Sequence, residues 1–365
     1  MILPKKRVVV AMSGGVDSSV AAALLKKDGF EVIGITMCFN LPGIESKKPR
    51  CCGLAGIEDA RRVARKIGIK HYVLNMQKAL EEKVIKNFCL EYLKGRTPNP
   101  CVRCNQYIKF DALLKKARAL GADFLATGHY AKVKKVLRHQ GVKAPVYQLK
   151  AAKDSFKDQS YFLYRLGQNQ LKHILFPLGD YTKPQVRSLA KKFGLVVAEK
   201  RESQEICFIP GTDYREFLKK YSKMNLSSGD IVDKDGLRLG THKGVAFYTI
   251  GQREGLGIAL GYPVYVTKID ALHNRITVGN KVDACKKEFF LNQLHFTAMP
   301  IKKKVALKVK IRYNHHQAKA VILPLKGKIK VCFKKPQFAI TPGQSAVFYK
   351  KDEVLGGGII NEVLD

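Results

Sequence analysis

The sequence predicts a chain of three domains, in which an α/β domain built on a parallel sheet is followed by two smaller, mostly β domains. Three observations support this prediction. A buried β-branched run at residues 8–10 leads through a glycine turn into a helix. Strand-like and helix-like segments then alternate as far as residue 193, which is typical of a parallel sheet with helices on both faces. From residue 229 the pattern changes to short alternating runs between glycine turns.

The first strand, glycine turn and helix together predict an anion site. The turn is Ser13-Gly14-Gly15, and Asp17 to Ser19 open a helix that stops at Asp28-Gly29. Glycine permits a tight turn and a close approach of backbone to a ligand, while the helix N-terminus offers free N–H groups and a positive dipole end. The Gly-Lys-Ser/Thr of the common nucleotide loop is absent. A purely structural strand-to-helix turn is the alternative.

The rest of the α/β part follows the same alternation. Further strands are predicted over residues 31–37, 71–76 and 123–130, and helices over 57–67, 80–93, 110–120 and 184–193. Residues 38–56 and 95–105 are predicted loops, 131–152 a basic hairpin, and 157–161 the start of a helical run. The ligand of such a sheet is expected at the carboxyl ends of its strands, where the Ser13–Ser19 turn lies.

The second half of the chain predicts two β domains. Strand-like runs occupy residues 244–250, 264–269 and 275–278, and a lysine-rich block repeats the pattern at 305–312, 318–323, 328–333 and 345–349. The last block is interpreted as a small β-barrel with a basic face that contacts RNA backbone. The predicted domains are residues 1–209, 210–284 and 285–365.

The composition indicates a polyanionic partner. A formal net charge of +36 with a pI near 9.9 favours nucleic acid, although a generally lysine-rich proteome is an alternative. No stretch approaches the eighteen or so apolar residues of a membrane span, and the first strand begins too early for a signal peptide. Nine cysteines without the spacing of a secreted scaffold favour a reducing cytoplasm.

Two cysteine segments are candidates for chemistry. Cys101 and Cys104 form a C-x-x-C, and Cys207 stands apart in Ser203-Gln204-Glu205-Ile206-Cys207. A structural zinc site needs a further pair of ligands, which is not obvious. Arg96 and Arg103 are expected to lower a thiol pKa and keep a thiolate available. Because thiolates attack sulfur, two distant cysteines could pass a sulfur atom and end as a disulfide. Cys38, Cys51 and Cys52 are interpreted as small buried or incidental apolar residues.

The motifs as an ordered set resemble one enzyme family. Besides the Ser13–Ser19 turn and the two cysteine segments, the set contains Gly128-His129-Tyr130, Lys157-Asp158-Gln159-Ser160-Tyr161, Tyr248-Thr249-Ile250-Gly251-Gln252-Arg253, Arg312-Tyr313-Asn314 and Pro342-Gly343-Gln344. Together they resemble the tRNA-specific 2-thiouridylases, the MnmA/TrmU family, over essentially the whole chain. The first motif alone resembles the pyrophosphate (PP) loop of ATP pyrophosphatases with the adenine nucleotide alpha hydrolase-like fold.

The resemblance implies an ATP-dependent sulfurtransferase. ATP and Mg²⁺ would bind at Ala11, Met12, Ser13, Gly14, Gly15, Val16, Asp17, Ser18, Met37 and Gly128. The C2 oxygen of the wobble uridine would be adenylated; Cys207 would carry sulfur as a persulfide, and Cys104 would attack it and leave a Cys104–Cys207 disulfide. The tRNA would contact Asn99, Pro100, Cys101, His129, Lys157, Asp158, Gln159, Arg312, Tyr313 and Gln344. A cysteine desulfurase or sulfur-relay protein would supply the sulfur.

Alternatives remain open at this point. Some family members have Asp at the position of Cys101, so the role of a base there is in doubt. Cys101, Cys104 and Cys207 could instead hold an iron–sulfur cluster. Another adenylating PP-loop enzyme, an amidotransferase-type synthetase or a lysidine synthase, would lack the two cysteine segments. A zinc-stabilised RNA-binding protein without catalysis would bind zinc and show no ATP turnover.

Overall fold

The computed structural model describes residues 5–39, 54–137, 145–201, 206–209, 213–222 and 227–364. The chain divides into two compact units. Unit 1 comprises Met1–Val84, Cys101–Asp213 and Asp352–Val354, and unit 2 comprises Ile85–Pro100, Tyr214–Lys351 and Leu355–Asp365. Within the described residues, no helix is long and apolar enough to cross a membrane.

The strands of the described residues are numbered in chain order. They are β1 Arg7–Ala11, β2 Glu31–Cys38, β3 Lys70–Asn75, β4 Phe124–Thr127, β5 Lys132–Val136, β6 Val146–Lys150, β7 Ile174–Leu175, β8 Gly229–Val232, β9 Arg238–His242, β10 Tyr265–Asp270, β11 Arg275–Gly279, β12 Cys285–Phe296, β13 Val305–Lys310, β14 Ala318–Leu325, β15 Lys328–Phe338, β16 Ser345–Lys350 and β17 Glu353–Leu364.

The α-helical segments are numbered in the same way. They are α1 Val16–Lys27, α2 Leu54–Ile67, α3 Gln77–Leu80, α4 Lys86–Leu93, α5 Pro100–Arg103, α6 Leu114–Ala119, α7 Gln168–Leu171, α8 Lys183–Lys192 and α9 Tyr214–Ser222. Two π-helical segments, Glu81–Ile85 and Cys104–Leu113, and two 3-10 segments, Ser160–Leu163 and Val245–Phe247, complete the helical structure of the described part.

Unit 1 is built on a five-stranded parallel sheet in the order β3-β2-β1-β4-β7. Val8 and Val10 of β1 share one buried cluster with Val20 of α1 and with Val186 and Ala190 of α8. The chain runs outward from β1 through β2 to β3 and then returns to the other side of β1 at β4. The direction of winding therefore reverses between β1 and β4, which is where open α/β sheets bind ligands.

Unit 1 also contains an antiparallel hairpin. β5 and β6 form the predicted basic hairpin, and β6 also pairs with Glu353 and Val354, the first residues of β17. The hairpin carries Lys132, Lys134 and Lys135 on one strand.

Unit 2 contains a four-stranded sheet and a closed barrel. The sheet has the order β10-β11-β8-β9 and covers an apolar cluster that includes Ile231, Val266 and Ile276. The barrel runs β12-β15-β14-β13-β16-β17 and closes by pairing of β17 with β12. Its interior is filled by apolar side chains such as Phe289 and Phe333. The predicted fold class, a parallel α/β domain followed by mostly β structure with a C-terminal barrel, is confirmed.

Three local predictions are wrong. The strand predicted over residues 123–130 ends at Thr127. Residues 95–105 are not a loop throughout, because a helix begins at Pro100. Proline is tolerated in the first turn of a helix, since the backbone N–H groups of that turn have no acceptor within the helix. Residues 244–250 are not a strand: Val245–Phe247 is a 3-10 turn whose Val245 and Phe247 side chains are buried in the core of the four-stranded sheet. Burial accounts for this apolar run without a strand.

Candidate nucleotide and sulfur-transfer site

The loop between β1 and α1 has a backbone geometry that requires glycine at position 14. Gly14 has a φ of +70°, and a Cβ there would lie 2.1 Å from the carbonyl oxygen of Gly56. The Ser13 N–H donates to Ser18 Oγ at 3.1 Å, and Ser19 Oγ donates to the Gly15 carbonyl at 2.8 Å. Gly15 caps α1 with extended backbone and no side chain. The helix N-terminus is therefore open toward the turn, as an anion site requires.

A cleft of about 200 Å³ opens at this turn. Its lining residues come from the ends of β1, β2 and β4 and from two helical segments; they are Ala11, Met12, Ser13, Asp17, Ser18, Met37, Lys109, Thr127, Gly128, His129 and Gln159. The structure thus brings together the predicted nucleotide residues, with Gly14 and Gly15 in the same loop and Val16 at the first position of α1. A Cβ on Gly128 would lie 2.6 Å from the Ser18 nitrogen, so a side chain there has no room.

Asp17 stands in the cleft with a cation beside it. Lys183 Nζ lies 2.7 Å from Asp17 Oδ1 and 2.9 Å from Oδ2, and the Tyr130 hydroxyl donates to Oδ1 at 2.9 Å. Lys183 opens α8, whose first turn is fixed by a capping box between Thr182 and Gln185. The lysine is mostly buried, which strengthens its attraction for the carboxylate.

A second lysine holds the loop from the other side. Lys200 Nζ donates to the Gly14 carbonyl at 3.0 Å and to Asp59 Oδ2 at 2.6 Å. Arg62 also contacts Asp59. Burial alone would raise the pKa of Asp59, but the hydrogen bonds from Lys200 and Arg62 outweigh it and hold the pKa below its ordinary value. The loop is therefore tied to a charged network that reaches α2.

His129 is a neutral side chain with a defined tautomer. Burial lowers its pKa well below the ordinary value, and the charge of Lys109 acts in the same direction. Lys109 Nζ lies 3.4 Å from Nε2, and Thr127 Oγ1 lies 2.6 Å from Nδ1. Since an ammonium group only donates, Nε2 accepts and the ring proton belongs to Nδ1. The ring packs against Phe110 and Phe176.

The C-x-x-C lies at the start of a helix rather than in a loop. Cys101 is exposed on α5, and Cys104 is buried at the first position of the π-helical segment Cys104–Leu113. Because π-helical hydrogen bonds join residues five apart, Cys104 and Lys109 lie one turn apart. Lys109 lines the cleft, so Cys104 precedes a cleft residue by one helical turn.

The predicted cause of thiol activation is wrong. Burial raises the pKa of Cys104, and the opposing charge is that of Lys109. Arg103 donates to the Lys83 carbonyl at 2.9 Å and stacks on Tyr107, while Arg96 pairs with Glu91 at 2.8 Å. Both guanidinium groups thus have other partners. The sequence could not show this because the partners lie on other segments.

The other cysteines are only partly described. Cys207 is half-buried in the short described segment 206–209, whereas Ser203, Gln204 and Glu205 of its motif lie outside the described residues, as do Cys51 and Cys52. Within the described part of the chain, no three His, Cys, Asp or Glu side chains are grouped so that they could hold a metal ion. This includes Cys101, Cys104 and Cys207, so the iron–sulfur alternative is not supported.

The predicted tRNA residues fall in both units. In unit 1, His129 and Gln159 line the cleft, whereas Asp158 is buried and accepts hydrogen bonds from Ala152 N and from Ser160. In unit 2, Gln344 donates to the Thr97 carbonyl at 2.9 Å, which fixes the segment just before Asn99 and Pro100. Arg312 donates to the carbonyls of Phe338 and Ala339, and Lys310 lies over the Tyr313 ring. Lys157 is half-buried beside Asp158.

Known sequences and families resemble the chain over its full length. The family described as "tRNA methyl transferase HUP domain" matches residues 6–211, followed by its PRC-barrel domain at 215–280 and an aminomethyltransferase β-barrel domain at 286–360. The tRNA-specific 2-thiouridylases MnmA of Clostridium botulinum (strain Alaska E43) and Carboxydothermus hydrogenoformans are 48% and 50% identical to the chain. Each alignment covers 100% of both proteins. The chain belongs to the tRNA-specific 2-thiouridylase family.

The 2-thiouridylase resemblance predicted from the motifs is therefore confirmed. What sequence reasoning missed are the cations of the site, Lys109, Lys183 and Lys200. Nothing in their local sequence distinguishes them, since lysine and arginine together number 66 in this chain. Only the fold brings them to the loop after β1, from helical segments and a turn that follow it by 90 residues or more.

Proposed function

We propose that this 2-thiouridylase family member uses ATP to adenylate the C2 oxygen of a tRNA uridine and replaces that oxygen by sulfur. The products are 2-thiouridine, AMP and pyrophosphate. The observation that carries the proposal is the placement of Cys104 one helical turn from Lys109, a residue that lines the cleft of the β1 loop. One unit of the chain thus holds a polyphosphate-type loop and a thiol next to it.

The residues around the loop fit a polyphosphate with Mg²⁺. The open N-terminus of α1 and Lys109, which lines the cleft, would neutralise phosphate charge, while Lys183 and Lys200 hold the loop through Asp17 and the Gly14 carbonyl. Magnesium is usually held by one or two carboxylates together with substrate phosphates. The Asp17 carboxylate, which lines the cleft and is a third exposed, is the oxygen donor for it. Met37 and Gly128 are proposed to flank the adenosine.

Adenylation gives the C2 oxygen a good leaving group. Uridine C2 is a urea-type carbon, and a thiol does not displace its oxygen without activation. Once this oxygen is bonded to the phosphorus of AMP it can leave as part of AMP, which lowers the barrier for attack by sulfur at C2. Neutral His129, with Nδ1–H directed to Thr127, keeps its Nε2 lone pair on the side of Lys109. In this arrangement His129 Nε2 is the acceptor and Lys109 is the donor of the hydrogen bond at the cleft wall.

The sulfur step is proposed to use two cysteines. Cys207 carries the incoming sulfur as a persulfide, and the Cys104 thiolate attacks the Cys207 sulfur atom. The bond between the two persulfide sulfurs breaks, the outer sulfur bonds to C2, and AMP leaves with the original oxygen. The Cys104–Cys207 disulfide that forms is reduced by an external dithiol, which supplies two electrons. A persulfide-bearing protein is proposed as the sulfur donor.

The loop also distinguishes thiolation from methylation, the activity in the family description. Methyl transfer to a nucleophilic atom needs a methyl donor and no polyphosphate site, whereas adenylation needs one. Incubation of the protein with ATP, Mg²⁺, unmodified tRNA and a persulfide source should give 2-thiouridine and AMP, measured by nucleoside mass spectrometry and chromatography. A methylated nucleoside, or tRNA binding without AMP, would contradict the proposal.

The division of the chain into domains at 209/210 and 284/285 is part of the proposal. It is supported by the change in sequence pattern and by family matches that end and begin near these positions. We also propose that the protein works in the cytoplasm, where its thiols stay reduced.

A further inference from the structure

Phe156 is the most exposed large apolar side chain among the described residues, with 93% of its surface in contact with solvent. A side chain this exposed contributes almost nothing to the hydrophobic stability of the fold. Single exposed apolar side chains are common on protein surfaces. Phe156 differs from such side chains in how its turn is held and in the residues that flank it.

The turn that carries Phe156 is fixed in place. Asp154 Oδ1 accepts hydrogen bonds from the backbone N–H groups of Phe156 and Lys157, each at 3.1 Å, which is the pattern of an Asx turn. Its other oxygen, Oδ2, accepts from the Lys183 N–H at 2.9 Å. The turn is therefore anchored to the start of α8, whose Lys183 side chain pairs with Asp17.

The turn also lies beside the cleft. Gln159 lines the cleft, and its N–H donates to the Tyr130 carbonyl at 2.8 Å. Three residues of extended chain span at most about 11 Å, so the Cα of Phe156 lies within that distance of a cleft residue. Asp158, between them, is buried and hydrogen-bonded to Ser160. Phe156 thus stands on an ordered surface next to the reaction site.

Basic residues flank Phe156 in the sequence. Lys153 is exposed and Lys157 half-buried on either side of it, on a chain with a formal net charge of +36. Single-stranded nucleic acid is bound by this combination, in which cations contact phosphates and an aromatic ring stacks on an unpaired base. A lipid or an apolar peptide would need a wider apolar patch than one ring.

We propose that Phe156 is a stacking platform for an unpaired nucleobase of the tRNA substrate. The inference rests on the proposed function, because it takes tRNA as the ligand. Phe156 would be a binding residue beside the reaction site, whose effect is on the affinity for tRNA and not on the binding of ATP. Stacking needs the aromatic face and not apolar area alone.

The test compares Phe156→Ala, Phe156→Leu and Phe156→Tyr with the matched variant Leu272→Ala, which removes a side chain that is 88% exposed in unit 2. We would measure the Kd for unmodified tRNA at several salt concentrations, the KM values for tRNA and ATP, and the melting temperature. Phe156→Ala should raise the Kd and the KM for tRNA about five- to hundred-fold. Phe156→Leu should resemble Phe156→Ala, while Phe156→Tyr and Leu272→Ala should stay near wild type.

Two further readouts separate stacking from other roles. The melting temperature, the KM for ATP and the slope of log Kd against log salt should be the same in Phe156→Ala as in wild type, because no phosphate contact is lost. Wild-type tRNA affinity in Phe156→Ala, or full rescue by Phe156→Leu, would overturn the inference. If the wild-type protein binds tRNA but forms no AMP or 2-thiouridine, the proposed function fails, and the Kd series still decides the role of Phe156.

Discussion

Lys183 Nζ lies 2.7 Å and 2.9 Å from the two carboxylate oxygens of Asp17, across 166 residues of sequence. The pair joins Asp17, which lies in the first turn of α1 and lines the cleft, to the first turn of α8. This pair therefore connects a residue that lines the cleft to a helix packed in the core of unit 1.

Replacing Lys183 by Met should weaken ATP use selectively. A hydrogen bond to a charged group contributes about 1.5–3 kcal/mol, so kcat/KM for ATP should fall about ten- to hundred-fold. Lys191→Met on the same helix is the control, since Lys191 pairs with Glu199 on the surface at 2.9 Å. Steady-state AMP release measures both. Equal activity of the two variants would show that the Asp17–Lys183 pair has no part in nucleotide use.

The Lys200–Asp59 contact predicts a pH dependence of stability. The pKa of Asp59 is lowered in the folded state, so its stabilising contribution is present above the unfolded pKa of about 4 and is lost as the pH falls through the folded value. Wild type should thus lose more free energy of unfolding than Asp59→Asn between about pH 6 and pH 3. Urea unfolding at each pH measures this. Glu199→Gln, in an exposed pair, is the control and should follow wild type; parallel curves for Asp59→Asn and wild type would contradict the account.

Thr36 links β2 and β3 to the β1 loop. Its hydroxyl donates to the Met12 carbonyl at 2.8 Å and therefore accepts from His71 Nε2 at the same distance. Thr36→Val removes both bonds at constant shape, so the KM for ATP should rise a few-fold with a loss of about 1 kcal/mol in the free energy of unfolding. Thr267→Val removes a similar hydroxyl-to-carbonyl bond in unit 2 and should leave the KM unchanged. An unchanged KM for ATP in Thr36→Val would show that these hydrogen bonds do not affect nucleotide binding.

Cys104 should react as a thiol whose pKa is raised. Burial raises its pKa and the charge of Lys109 opposes that effect, so Lys109→Gln should move the titration to still higher pH. The rate of alkylation at Cys104 against pH, followed by peptide mass spectrometry in a Cys101→Ser background, measures this. Lys116→Gln, on α6, is the control. A midpoint that stays or falls in Lys109→Gln would contradict the proposed neighbourhood of Lys109 and the thiol.

Local pattern predicted the parts of the fold that local residues determine. The run at residues 8–10, the glycine turn and α1 are where periodicity and glycine chemistry place them, as are most strands of the barrel. The long strands β12 and β17, which close the barrel by pairing with each other, were missed. Their pairing joins residues about 70 positions apart, and no local signal reports it.

The candidate site was likewise predicted only in part. The nucleotide residues form one continuous motif, so the sequence sufficed for them. The helix at Cys101 was missed because prolines before it were interpreted as loop signals, although Pro100 occupies a first turn that suits it. Lys109, Lys183 and Lys200 depend on tertiary contacts with His129, Asp17 and Asp59, which lie far away in sequence.

The most direct test of the account is a single-turnover reaction with tRNA, ATP, Mg²⁺ and a persulfide donor, comparing wild type with Cys207→Ser and Cys104→Ser. AMP and 2-thiouridine would be measured in the same samples. We predict one AMP for each 2-thiouridine in wild type, and AMP without 2-thiouridine in Cys207→Ser. Cys104→Ser should leave sulfur on Cys207 as a persulfide. Undiminished 2-thiouridine in Cys207→Ser, or 2-thiouridine formed without AMP, would contradict the account.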